Sequence, residues 1–326
     1  MKAIKYARYG SPDVLQIVEI QKPTPKDDEV LIKICASSIN SYDSRIKAGK
    51  PFLVRLRAGL FRPHKDIIPG CDVTGIIEAA GKDIRDFKVG DEIFGCLADG
   101  SGDSAYAEYV CAKESVLAPK PASISFEQAA SLPMAAVTAL QGLRMAGDIK
   151  PGQKILVNGA SGGVGTFAVQ IAKALGAEVT AVCSGRNADM LRAIGADFVL
   201  DYAKEDFVQS GKTYDAIMDV VANHSLADVR RALKPNGTCV EIGFSTFGHS
   251  LRTLLFGKRS AAKDGKSVVM LMANNSTRED LIFMSDLMQA GKITPVIDGV
   301  YPLEDIQKAF WYYEREHAKG KVVIKM

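Results

Sequence analysis

From Lys154 onward, short apolar runs alternate with helical periodicity. The runs are Ile155–Val157, Val179–Cys183, Phe198–Leu200, Ala216–Val221, Cys239–Ile242 and Val268–Leu271. Between the first two, Val164, Phe167, Ala168, Ile171, Ala172 and Leu175 recur at offsets 0, 3, 4, 7, 8 and 11. That is the stripe of a helix laying one face on a sheet. Strand–helix alternation predicts right-handed βαβ units and an α/β, doubly wound, mainly parallel sheet. The runs are apolar enough for strands covered on both faces.

The first 120 residues read differently. Strands are expected at Leu15–Ile20, Val30–Ala36, Thr74–Ala80 and Tyr106–Cys111, separated by Gly and Pro turns, which suits a small barrel or sandwich. The texture changes near Ser125, where a helix from Phe126 to Met145 should kink or divide at Pro133. After Asn274 the pattern predicts a helix at Arg278–Gln289, a proline-led helix from Pro302 to about Glu316 and a last strand at Val322–Lys325. If that strand returns to the first domain, the boundaries are 1–122 with 275–326 for one domain and 123–274 for the other.

The most specific local signal is Val157-Asn158-Gly159-Ala160-Ser161-Gly162-Gly163-Val164-Gly165, between an apolar strand and an amphipathic helix. Glycines at 159, 162 and 165 let the backbone turn tightly and approach a pyrophosphate, while the following helix offers free N–H groups and the positive end of its dipole. Gly163 and Val164 contribute N–H groups, and Ser161 can add a hydroxyl. The motif predicts a dinucleotide site. The second strand ends Cys183-Ser184-Gly185-Arg186-Asn187, with no acid before Asp189 to accept from a ribose 2′-hydroxyl. Ser184 and Arg186 would instead hold a 2′-phosphate by charge-assisted hydrogen bonds, with the Tyr202 hydroxyl after the third strand, so NADPH is expected. Val220 and Gly243 end the fourth and fifth strands, where a parallel sheet opens onto its ligand.

Bulk properties narrow the rest. A net charge of +3, from 41 basic and 38 acidic residues, gives no support to a nucleic-acid partner. No apolar stretch approaches the ~20 residues that span a bilayer, and the first residues lack the pattern of a secretory signal. The six cysteines form no Cys-x-x-Cys pair and read as thiols of a reducing compartment, the cytoplasm.

The chain resembles the medium-chain dehydrogenase/reductases, in their zinc-free quinone oxidoreductase branch. The resemblance rests on Gly10-Ser11-Pro12-Asp13-Val14-Leu15, Val30-Leu31-Ile32-Lys33, Ser38-Ile39-Asn40, Pro69-Gly70-Cys71-Asp72-Val73-Thr74-Gly75 and Val89-Gly90-Asp91. The glycine loop, Gly195-Ala196-Asp197 and Gly320-Lys321-Val322-Val323 complete it. It implies a Rossmann domain and a GroES-like β-rich catalytic domain built from both chain ends. Zinc-dependent relatives carry Cys where Asn40 stands, His where Cys71 stands and Cys near Met134. Cys71 alone is left, and one thiolate cannot hold a zinc ion that wants three protein ligands and a water, so no metal is expected.

Without a Lewis acid, the resemblance implies hydride transfer from NADPH to an α,β-unsaturated carbonyl or quinone, with hydrogen-bond donors for the developing enolate oxygen. Asn40 matches the family's asparagine beside the nicotinamide, and Tyr42 is the candidate substrate or proton-donor residue; Asp43 should orient its neighbours. Ser41 departs from the family's proline and should loosen this segment. Thr138 matches a threonine near the nicotinamide ribose, Leu271 ends a later strand beside the nicotinamide, and His317, Ala318 and Lys319 match a stretch closing over the cofactor. Rival readings are a non-catalytic NADPH-binding sensor or structural protein, and an alcohol dehydrogenase. The apolar and basic stretch from Phe52 to Lys65 is expected to border the substrate entrance, or else to be a solvated loop. The Val268–Leu271 strand is expected to pair two copies as a homodimer.

Overall fold

The computed structural model describes the chain except residues 53, 64–66, 99–103, 243–246, 258–263, 272–275 and 317. Of the residues singled out above, Leu53, His64, Lys65, Gly243 and His317 lie outside the described residues. Two compact units emerge, Met1–Val137 with Asn275–Ala290 and Pro295–Met326, and Thr138–Asn274 with Gly291–Thr294.

The first unit opens with strands β1 (Lys2–Lys5), β2 (Gln16–Glu19) and β3 (Glu29–Ile39), then helices α1 (Ser41–Ala48) and α2 (Val54–Ala58). Strands β4 (Asp72–Ala80), β5 (Glu92–Cys96), β6 (Tyr109–Lys113) and β7 (Leu117–Pro119) follow. Helix α3 (Phe126–Ala130) and helix α4 (Pro133–Ala146) come next. The expected single helix is thus divided, because Pro133 cannot continue α3 but suits the first position of a new helix. The Ser125 hydroxyl accepts from the Gln128 N–H and caps α3.

The second unit alternates strand and helix. It runs β8 (Lys154–Asn158), α5 (Gly163–Ala174), β9 (Glu178–Cys183), α6 (Ala188–Ala193), β10 (Phe198–Asp201), β11 (Tyr214–Asp219), α7 (Leu226–Arg231) and β12 (Leu233–Ile242). Helix α8 (Phe247–Phe256) and strand β13 (Ser267–Leu271) complete it. The six strands are all parallel, in the order β10-β9-β8-β11-β12-β13. The middle of the predicted stripe of α5 is buried, with Phe167, Ala168, Ile171 and Ala172 fully covered, while Val164 at its start is half-buried and Leu175 at its end is exposed. The two edge strands depart from the expected two-sided burial. Phe198 in β10 is half exposed, and β13 is only partly buried apart from Val268, each having a strand neighbour on one side alone among the described residues.

The chain then returns to the first unit through α9 (Arg278–Gln289), β14 (Ile297–Pro302), α10 (Ile306–Arg315) and β15 (Lys321–Lys325). β15 pairs antiparallel with the end of β3, Val322 opposite Ile39, so both chain ends share one sheet of order β14-β15-β3-β4-β5-β7, with β6 also on β3. The long β3 therefore has β15, β4 and β6 as neighbours along different parts of its length. One core of this unit holds Ile4, Leu15, Ile39, Val322 and Ile324, with Tyr106 edge-on to Phe310 at 5.9 Å between ring centroids.

Candidate functional site

In the second unit, the ends of β8, β9 and β10 bring most of the predicted cofactor residues together. Gly162 is the N-cap of α5 and, having no side chain, leaves that end uncapped by any side-chain hydrogen bond. Among the described residues, a Cβ on Gly162 would meet only the Gly159 carbonyl, at 3.7 Å, so these residues leave room at the N-cap of the helix. Gly165 is the opposite case: a Cβ there would sit 2.2 Å from the Gly159 oxygen, because helix and loop pack backbone to backbone. Gly159 itself has φ +79°, in the left-handed region. An uncapped helix N-terminus with this room at its N-cap fits a pyrophosphate, and Gly163, Val164 and Gly165 form the helix's first turn. Ser161 is half-buried beside them.

Ser184 and Arg186 follow the end of β9, next to β8. Arg186 is exposed, and the Ser184 hydroxyl accepts from Asn187 Nδ2 at 3.3 Å. The Tyr202 N–H donates to the Cys183 carbonyl at 3.1 Å, which sets Tyr202 alongside this segment with its side chain 65% exposed. One carboxylate here escaped sequence reasoning. Asp201 ends β10 in register with Cys183, and a Cβ on Gly185 would lie 2.6 Å from Asp201 Oδ2. Parallel pairing, not sequence distance from the glycine loop, places that acid. Burial pushes the Cys183 thiol up to about 11, the Asp201 charge adding to the effect.

A second row of polar groups stands on neighbouring strands. Asn158, Asp219 and Glu241 are adjacent in register and buried. Asp219 Oδ1 accepts from Asn158 Nδ2 at 2.8 Å and from the N–H groups of Val221 and Ala222 at 3.1 and 2.7 Å. These bonds hold the turn that carries Val220, whose N–H donates to the Asn158 carbonyl and whose Cβ lies near Gly159. Thr138 is buried in α4, one turn before Gly142, which packs against Met218 and Ile242. Leu271 is the last residue of β13, opposite Ile242.

In the first unit, Asn40 is the N-cap of α1 and almost fully buried. Its N–H donates to Asp43 Oδ2 at 2.8 Å, so Asp43 does orient its neighbour. The Asn40 amide is engaged on both ends: Nδ2 donates to Asp72 Oδ2 at 2.8 Å, and Oδ1 accepts from Lys321 Nζ. Asp72 is wholly buried and also accepts from Ser38 Oγ at 2.6 Å, the Met134 N–H at 2.8 Å and Lys321 Nζ at 3.3 Å. Its carboxylate thereby satisfies a buried N–H at the start of α4. Sequence reading missed Asp72 and Lys321 as partners of Asn40. Tyr42 is the second residue of α1 and half-buried. Ser41 does not loosen the segment, since its hydroxyl meets the Tyr313 hydroxyl at 2.9 Å. Ala318 packs on the core of this unit, and the Lys319 N–H donates to Asp298 Oδ2, which also takes the Tyr312 hydroxyl.

Cys71 does not stand alone, as sequence reading held. Antiparallel pairing of β4 with β5 sets Cys96 opposite Asp72, and the ligand atoms of Cys71, Asp72 and Cys96 lie within 4.8 Å of one another. The group nonetheless does not fit a zinc ion. The Lys321 ammonium already supplies the positive charge, and Asp72 already accepts from four donors. Burial, followed by the hydrogen bond to Cys96, pushes the Cys71 thiol well above its ordinary value, away from the thiolate a metal needs.

Comparison with known proteins follows this geometry. Residues 26–122 match the alcohol dehydrogenase GroES-like domain and residues 194–324 the zinc-binding dehydrogenase domain. A chloroplast envelope quinone oxidoreductase homolog of Arabidopsis thaliana is 34% identical over all of this chain and 98% of its own length. An NADPH-dependent alkenal/one oxidoreductase of the same plant is 30% identical over 99% of this chain and 79% of its own. The solved quinone oxidoreductase of Coxiella burnetii superposes with a TM-score of 0.89 at 30% identity, covering 100% of this chain and 99% of that one. The chain belongs to the medium-chain dehydrogenase/reductase superfamily, in its quinone oxidoreductase-like branch.

Proposed function

We propose that this oxidoreductase reduces an α,β-unsaturated carbonyl or a quinone at the expense of NADPH, without zinc. The observation that carries the reading is the room that the described residues leave at Gly162, the N-cap of α5, which no side chain caps. Bound NADPH supplies a hydride. The chain's part is to bind, orient and donate. Gly159, Ser161, Gly162, Gly163, Val164 and Gly165 hold the pyrophosphate, Ser184, Arg186 and Tyr202 the 2′-phosphate, and Thr138, Val220, Gly243, Leu271, His317, Ala318 and Lys319 the remainder. Asn40 and Tyr42 serve the substrate side. Asp72 and Lys321 fix the Asn40 amide, and Tyr42 brings a hydroxyl that donates to the developing oxyanion. The relatives' printed activities, quinone and alkenal/one reduction, support this substrate class.

The test is titration of NADPH and NADH against the wild type and Arg186→Ala, with turnover of an enone and quinone panel. Loss of one charge-assisted pair should weaken NADPH about tenfold or more and leave NADH nearly unchanged. Equal weakening of both would remove Arg186 from the 2′-phosphate site, and absence of binding by either nucleotide would end the proposal. We also infer a homodimer through the edge of β13, which has no strand partner among the described residues, and a cytoplasmic setting, supported by six free thiols.

A further inference from the structure

Between Asp43 and Asp66 the sequence holds seven Lys and Arg residues and no acid. Lys47 withdraws from this set, because it is buried against Glu314 at 2.8 Å. Within the same stretch, Phe52, Leu56, Leu60 and Phe61 are 60%, 67%, 41% and 88% exposed. Four large apolar side chains within ten residues form a local patch, where a monomer's exposed apolar residues are normally scattered singly.

The segment is fastened from its inner side. The Tyr9 hydroxyl donates to the Gly59 carbonyl at 2.5 Å, and Arg55 Nε donates to the Gly49 carbonyl at 3.1 Å. The Arg55 guanidinium stacks 4.8 Å from the Tyr9 ring and 5.7 Å from the Phe52 ring. Arg55 and Gly59 are therefore both held on Tyr9, with Leu56 exposed between them and Phe52, Leu60 and Phe61 exposed on either side. Lys50 and Arg62 are exposed beside them.

We propose that this segment is a peripheral docking surface for an anionic phospholipid bilayer. Charge and apolarity together choose the occupant. Phenylalanine and leucine enter the headgroup–acyl boundary, and flanking cations meet lipid phosphates there. A second copy of the chain is a poor occupant, since a two-fold contact would set the same positive rim against itself. The inference stands apart from the reductase reading, because lipid binding requires neither cofactor nor substrate.

The test is flotation of the full chain with vesicles of phosphatidylcholine alone and of phosphatidylcholine with phosphatidylglycerol, at low and high salt. The expected result is about tenfold more protein floating with the anionic vesicles at low salt, falling as salt rises. Phe52→Ser/Leu56→Ser/Phe61→Ser and, separately, Arg62→Glu should each lose most of that binding, with thermal denaturation showing that they fold. Phe61→Ser alone, at the most exposed position, gives a reading should the triple variant fail to fold. The proposal is overturned by no flotation with anionic vesicles, or by full flotation of Phe61→Ser and Arg62→Glu. It is equally overturned if the folded triple variant floats normally but has a raised KM for long enones in vesicle-free buffer, which would make the segment a substrate entrance. A change in sedimentation without vesicles would assign the patch to self-association and overturn it too.

Discussion

Single residues in the two units answer to different forces. In the glycine loop they are steric, and two neighbouring glycines should behave oppositely. Gly165→Ala drives a Cβ into loop backbone and should cost about 1–3 kcal/mol of stability, read by urea denaturation. Gly162→Ala has room and an ordinary φ of −82°, so its cost to the fold should be about 1 kcal/mol or less. The added methyl instead occupies the proposed phosphate space, and NADPH affinity by calorimetry should fall about tenfold or more. In the buried network the force is electrostatic. Lys321→Met strands the Asp72 carboxylate and should cost about 3–5 kcal/mol, whereas adding Asp72→Asn should restore much of the loss; a double variant no better than the single one would refute the pairing. The glycine loop was legible because its chemistry is contiguous in sequence. The Asn40 network was not, since Asp72 and Lys321 lie 32 and 281 residues away and only strand pairing unites them.

At the scale of elements, legibility followed the length and continuity of apolar runs. All six strands of the parallel sheet were predicted to within a few residues at most ends, except that β12 begins six residues before Cys239. Continuous apolar runs mark strands covered on both faces. In the first unit β1, β5, β7 and β14 escaped notice, being three to six residues long, with Gly95 interrupting the apolar run of β5. Asp201 was missed for a related reason, since its neighbour Gly185 belongs to a different βα unit. Strand β13 offers the test of association. Its outer side has no strand partner among the described residues, and its middle residue Val269 is half-buried. Val269→Lys places a charge on that edge and should convert the inferred dimer to a monomer in sedimentation velocity, with NADPH binding retained. A wild type that sediments as a monomer would dismiss the dimer outright.

Across the whole molecule, the buried Cys183 and half-buried Cys111 thiols couple stability to alkaline pH. Burial, then the Glu29 charge, pushes Cys111 from 9.0 to about 11, and burial with Asp201 does the same for Cys183. Between those values the folded chain retains protons that the unfolded chain has released. Their contribution is therefore intact below about 9 and is lost as pH rises toward about 11. Urea midpoints should fall across that window, and less steeply in Cys183→Ala; an unchanged slope would mean that the thiol is not held neutral. The joining of both chain ends in one sheet has a consequence during synthesis. The parallel sheet of the second unit is complete once the ribosome has released β13, but β3 then still lacks its β15 neighbour. At 5–20 residues per second, roughly 15–55 s of translation separate Asn40 from Lys321, and for that interval β3 of the nascent chain lacks its β15 neighbour, the kind of open edge that favours aggregation.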